Sequence, residues 1–143
     1  MATLVLFDEF KLNVTNATIN LSTDSFKVAL SNTAPTAATD DELVDITQIA
    51  AGNGYTAGGQ LLDSVTWAET GAGTGIWQFT SADEVFTASG GTIGPFRYVI
   101  LYSDTSTNDK LIGYLDYGSS ISVTDGNTFT VDVGANGWFT LDG

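Results

Sequence analysis

Carboxylates are the only abundant side chains in this chain suited to acid–base chemistry: 17 Asp and Glu stand against four Lys and Arg, with no His and no Cys. Without cysteine there is no disulfide, thiolate zinc site, iron–sulfur cluster or thiol nucleophile. Without histidine the commonest general base, the commonest metal ligand and the usual partner of a nucleophilic serine are gone. Two carboxylates at a set separation suffice for glycoside hydrolysis, but no spacing in the sequence places a particular pair together. Asp40, Asp41, Glu42 and Asp45 form the densest acidic cluster, a set of oxygen ligands that suits Ca²⁺ or, equally, the acidic first turn of a helix. Asp104 to Asp109 alternates oxygen side chains as a Ca²⁺ loop begins, yet it has Asp109 where such a loop has glycine and Leu115 where it has glutamate. It reads as a hairpin loop. The glycine-rich stretch Gly52 to Gly59 would need a strand before it and a helix after it to cradle phosphate, and the order here is reversed. No lysine lies between Lys27 and Lys110. The stretch reads as a loop whose backbone needs positive φ, with Tyr55 exposed on it as a contact anchor. Trp67, Trp77 and Trp138 are candidates for sugar stacking, although Trp67 lies on the apolar side of its segment and reads as core. No catalytic residue, metal or cofactor is expected.

A formal net charge of −13 repels phosphate, so neither nucleic acid nor an anionic membrane surface is an expected partner. Disorder is excluded by composition: hydrophobic residues are 43%, and there are eight Phe, five Tyr and three Trp. Met1 to Phe10 has no basic stretch and too short an apolar run for a signal peptide or a membrane span. Three Asn-x-Ser/Thr triplets, beginning at Asn13, Asn16 and Asn20, read as turn and strand chemistry.

The elements that must position these residues are mostly strands, because the apolar period is 2 or continuous. Short strands are expected at Thr3 to Phe7, Ala17 to Leu21, Ser25 to Ser31, Leu61 to Trp67, Gly75 to Thr80, Glu84 to Thr87 and Trp138 to Leu141. Phe96 to Tyr102 is almost wholly apolar and reads as a central strand covered on both faces. Leu111 to Tyr117 follows as its hairpin partner. Phe129, Val131 and Val133 alternate with polar residues, and Asp125-Gly126 before them signals a type I′ turn. One short helix is expected at Asp40 to Ile49, where Leu43, Ile46 and Ile49 recur behind an acidic first turn. The fold class is all-β: a single domain, an antiparallel β-sandwich or barrel, jelly-roll-like, with one short helix and an N-terminal arm over about residues 1–10.

Six segments together carry a resemblance: LFDEFKLNV from Leu6, DSFKVALSNTAP from Asp24, ITQIAAGNGYTAGG from Ile46, GPFRYVILYSDTS from Gly94, LIGYLDYGSS from Leu111 and DGNTFTVDV from Asp125. In these the chain resembles a family of small virion structural proteins of tailed bacteriophages. The motifs are fold and turn motifs with no catalytic residue among them. The resemblance implies a non-enzymatic protein made in the host bacterial cytoplasm and carried in the virion. The acidic surface favours the capsid exterior, as a decoration or cement protein bound to the major capsid protein. Self-association is expected, with a trimer favoured by analogy with capsid three-fold positions. The alternative is a tail or head–tail part, such as a fibre or adhesin domain that binds host glycan. Expected contact residues are Leu4, Leu6, Phe7 and Phe10 of the arm, Tyr55 of the glycine-rich loop, and Arg97. The arm reads either as a free contact element or as the first strand of the core. Arg97, alone among apolar neighbours, must find a carboxylate or reach water.

Overall fold

A computed structural model describes residues 2–142. Among these residues lie ten strands and one short α-helix: β1 (Leu4–Leu6), α1 (Asp8–Thr15), β2 (Phe26–Ser31), β3 (Gln60–Leu61), β4 (Thr66–Glu69), β5 (Trp77–Thr80), β6 (Glu84–Thr87), β7 (Ile93–Ser103), β8 (Leu111–Val123), β9 (Thr128–Val131) and β10 (Phe139–Leu141). They form a five-stranded sheet in the order β1-β8-β7-β2-β3, a three-stranded sheet β10-β5-β4 and a two-stranded sheet β6-β9. All pairings are antiparallel. The sheets stay open and do not close into a barrel. Their division into five, three and two strands also departs from the paired four-stranded sheets of a jelly roll.

Strand β7 lies in the middle of the large sheet, between β8 and β2. Tyr98 through Ser103 are all buried, and Val99, Ile100 and Leu101 are completely so. Opposed residues in an antiparallel pair share a face. Phe26, Val28 and Leu30 therefore stand with Ser103, Leu101 and Val99 on one side of the sheet. On that side Phe26 meets Phe79 of β5 edge-on, ring centroids 4.9 Å apart, so the three-stranded sheet covers it. At the start of β7, Phe96 meets Phe129 of β9 in the same geometry at 4.9 Å. The opposite side carries Lys27, Ala29 and Ser31 beside Tyr102, Ile100 and Tyr98. It is covered by the long connection over residues 32–59, whose Gly58 carbonyl accepts a 2.6 Å hydrogen bond from the Tyr102 hydroxyl. Burying each such Phe, Leu or Val stabilises the fold by roughly 1.5–3 kcal/mol relative to exposure.

The helix lies elsewhere than the sequence suggests. Residues 40–49 supply only a 3₁₀ turn at Leu43–Asp45. Their backbone is drawn into sheet-like pairing: Leu43 N–H donates to Asp109 O at 3.0 Å, Leu111 N–H to Asp41 O at 2.9 Å, and Ile49 N–H to Leu30 O at 3.0 Å. A helix would forfeit all three, and tertiary pairing overrides the local periodicity. The α-helix instead occupies Asp8–Thr15, with Asp8 and Glu9 in the first turn, where the helix dipole favours acid. It ends at Thr15, and Ala17, two residues on, takes φ +67°, the left-handed position usual after a helix.

Three further differences concern turns and strand parity. Ala17 to Leu21 is not a strand, although Ile19 and Leu21 are buried. Leu61 to Trp67 is not one strand: β3 ends at Leu61, Leu62 is buried beyond it, and β4 begins only at Thr66. The turn at Asp125-Gly126 has positive φ at Gly126 alone, which is not type I′. It leads from β8 to β9, which are not paired with each other; β9 pairs with β6.

Because Ile100 is enclosed from both sides, Ile100→Ala should lower stability by about 2–5 kcal/mol, read as a drop in denaturation midpoint at unchanged m-value.

Candidate functional site

The glycine-rich loop is built to close on the sheet. Gly52, Asn53, Gly54, Gly58 and Gly59 all have positive φ. A Cβ on Gly59 would lie 1.8 Å from the Val28 carbonyl oxygen, and one on Gly54 would lie 2.1 Å from that of Thr87, so only glycine fits at either position. Tyr55, expected on the surface, is buried at 2% exposure. Its hydroxyl donates to Gln48 Oε1 at 2.7 Å and accepts the Leu30 backbone N–H at 3.1 Å. The same Gln48 oxygen accepts Gly58 N–H at 2.7 Å. Burial pushes the Tyr55 phenol up to about 12. Tyr55 is thus an internal clamp that satisfies backbone groups of a buried connection, and it offers nothing to a partner.

Three of the four cations are committed inside the molecule. Arg97 on β7 makes a bidentate pair with Asp116 on β8, Nε to Oδ1 at 2.7 Å and a second guanidinium nitrogen to Oδ2 at 3.1 Å. The guanidinium carbon also lies 5.4 Å from the Tyr98 ring centroid. The hydrogen bond from Arg97, helped by Gly118 N–H, holds the Asp116 carboxyl below its usual range. Lys110 contacts Asp41 at 2.5 Å and Glu42 at 3.0 Å, with its side chain largely covered. The hydrogen bond to Asp41, joined by that to Glu42, raises its ammonium above the ordinary value. Lys27 faces Asp104 at 3.4 Å. Only Lys11, paired with Asp8 at 3.6 Å, is mostly in water.

The acidic clusters serve as loop caps. Asp45 accepts the N–H groups of Asp41 and Glu42, which holds its carboxyl low. Asp40 accepts Thr36 N–H at 2.7 Å. Among the described residues no three acidic side chains converge as a metal ion requires, and no helix is long and apolar enough to cross a membrane. Two of the three Asn-x-Ser/Thr triplets are turn chemistry, Asn16 and Asn20 each accepting an N–H two residues on; the third lies in α1, where Asn13 is buried and donates to Asp41.

The arm is part of the fold. β1 pairs with β8, and Phe7 is wholly buried, 5.5 Å from the Tyr114 ring. Phe10 is buried against Phe139 at 5.5 Å. Phe7, Phe10 and Tyr55 are therefore not free contact residues; their side chains are consumed by the core. Leu4 and Leu6 are half-buried. With Phe7, Phe10 and Tyr55 buried, the expected contact set does not form one exposed patch.

What the arm does create is a groove. α1 and the turn after it lean over the three-stranded sheet, enclosing about 410 Å³ lined by Leu6, Phe10, Val14, Leu21, Trp67 and Phe139 among others. Trp67 is half-buried there, and Trp77, 5.9 Å from it, is 42% exposed. Trp138 is buried, its indole N–H donating to Ser81 Oγ at 2.9 Å. The sequence signal for the groove is the Phe10/Val14 spacing behind Asp8 and Glu9, one helical face of apolar residues.

No family model, curated protein or solved structure matches the chain.

Tyr55→Phe should lower stability by about 1–3 kcal/mol, because the buried Leu30 N–H loses its acceptor. The wild type should also lose stability as pH rises from about 10 toward about 12: the unfolded phenol ionises first, and the folded one holds its proton longer. Urea titrations across that range should show a smaller alkaline loss for Tyr55→Phe.

Proposed function

We propose that the chain is a non-enzymatic structural protein of a tailed-bacteriophage virion, a decoration protein that binds the outside of the major capsid protein shell and stabilises it. The resemblance in the six quoted segments supplies the setting. The observation that carries the position is the disposition of charge: Arg97, Lys27 and Lys110 are held by Asp116, Asp104, Asp41 and Glu42. The remaining surface is acidic, apart from Lys11. Such a surface is repelled by packaged nucleic acid and is compatible with the outer wall. Contact is the mode of action, with copies associating as a homo-oligomer, a trimer by analogy with capsid three-fold positions.

The second reading is a tail or head–tail part that binds host glycan. It is favoured by one feature, the Trp67–Trp77 pair with Trp77 partly in solvent, since aromatic faces stack on apolar sugar faces.

Particles stripped of the protein should be less resistant to heat, and added protein should bind them at fixed stoichiometry and restore that resistance. Particles equally robust without it remove the cementing role. Saturable binding of oligosaccharide to the isolated protein, without binding to shells, favours the tail reading.

A further inference from the structure

The groove beneath α1 continues outward as an apolar lip. The pairings Trp67↔Phe79↔Phe139 and Glu69↔Trp77↔Leu141 set two rows two residues apart, hence on one face of the β10-β5-β4 sheet. The first row is covered: Phe79 is fully buried and Phe139 packs under Phe10. The second stands clear, with Trp77 42% and Leu141 61% exposed. Large side chains left in water beside an apolar groove mark an interaction surface. The charges around the lip are acidic: Glu69 stands opposite Trp77, and Asp142 follows Leu141. Glu69 accepts Gly75 N–H at 2.7 Å. Within the groove the one charged side chain is Lys11, already paired with Asp8.

We infer that this groove and lip receive a segment of another protein that carries bulky apolar side chains flanked by Lys or Arg. The apolar side chains fill the groove over Trp67 and Phe139, while the flanking cations meet Glu69 and Asp142 and are drawn by the charge of −13. A second copy of this chain fits poorly. Three of its four cations are held internally, and the fourth, Lys11, is on the rim of its own groove. The inference deepens the proposed function and rests on it only for where the partner is found, on the shell.

The test uses the full chain and a synthetic heptapeptide alternating lysine with leucine or phenylalanine. Two control peptides replace either the lysines with glutamate or the apolar residues with serine. Tryptophan fluorescence reads binding through Trp67 and Trp77. Saturable binding is expected for the first peptide alone. Leu141→Asp should weaken it by about tenfold or more; Val85→Asp, at an exposed position on β6, should not. The Leu141 change adds a negative charge, so attraction by general acidity alone would hold or strengthen binding and overturn the inference. Equal binding of the serine peptide, no binding at all, or self-association abolished by Leu141→Asp would overturn it too. Stripped shells separate the two levels. Wild-type protein that fails to bind shells contradicts the proposed function, whereas Leu141→Asp protein that binds them normally contradicts only the groove.

Discussion

A strand that is apolar along both sides has to be covered on both, and β7 imposes that constraint on the whole molecule. One side is served by ordinary means: sheet β10-β5-β4 brings Phe79 onto Phe26. The other is covered by an irregular connection, which carries backbone polar groups into a dry place. The fold answers with a small hydrogen-bond network. Tyr55 and Gln48 tie Leu30 and Gly58, and Ser31 Oγ donates to the Thr47 carbonyl at 2.6 Å. Gly54 and Gly59 let the loop approach neighbouring backbone where any side chain would collide. Among the described residues, no buried side-chain polar atom is left without a partner.

The scarcity of cations follows a second logic. Each internal cation joins separate parts of the chain: Arg97 ties β7 to β8, Lys110 ties the start of β8 to the 40–45 turn, and Lys27 ties β2 to the loop after β7. With these three paired to carboxylates of the same chain, unpaired acidic side chains dominate the remaining charge. That division of charge connects the fold to the proposed role, because it determines which surfaces the protein can approach. Beside the apolar groove under α1 the acidic exterior gives way to bulky side chains, with Trp77 and Leu141 at the surface.

The strands were legible because their signals are local and strong. The continuous run Phe96 to Tyr102, the alternation at Phe26, Val28 and Leu30, and the exact span Glu84–Thr87 all became strands. The need of Arg97 for a carboxylate was legible from charge alone, and Asp116 meets it from the neighbouring strand. The errors came where distant backbone competes with local pattern. Residues 40–49 have helical spacing but pair with Leu30, Asp109 and Leu111 instead. The eight-residue α1 begins at the end of what reads as an apolar arm and runs on past it, unread because two inward apolar residues are a weak periodic signal. Tyr55 sits among glycines and so reads as exposed; nothing in its neighbours reveals that the loop folds back onto β2. The groove needs α1, β4 and β10 together, which no local pattern encodes.

Imaging of phage particles with and without this protein, by difference density, tests the central claim most directly. The account predicts discrete density on the outer shell surface, at regular positions on the capsid lattice, with the α1–β10 side turned toward the major capsid protein. Density on the tail, inside the shell, or absent altogether would contradict it.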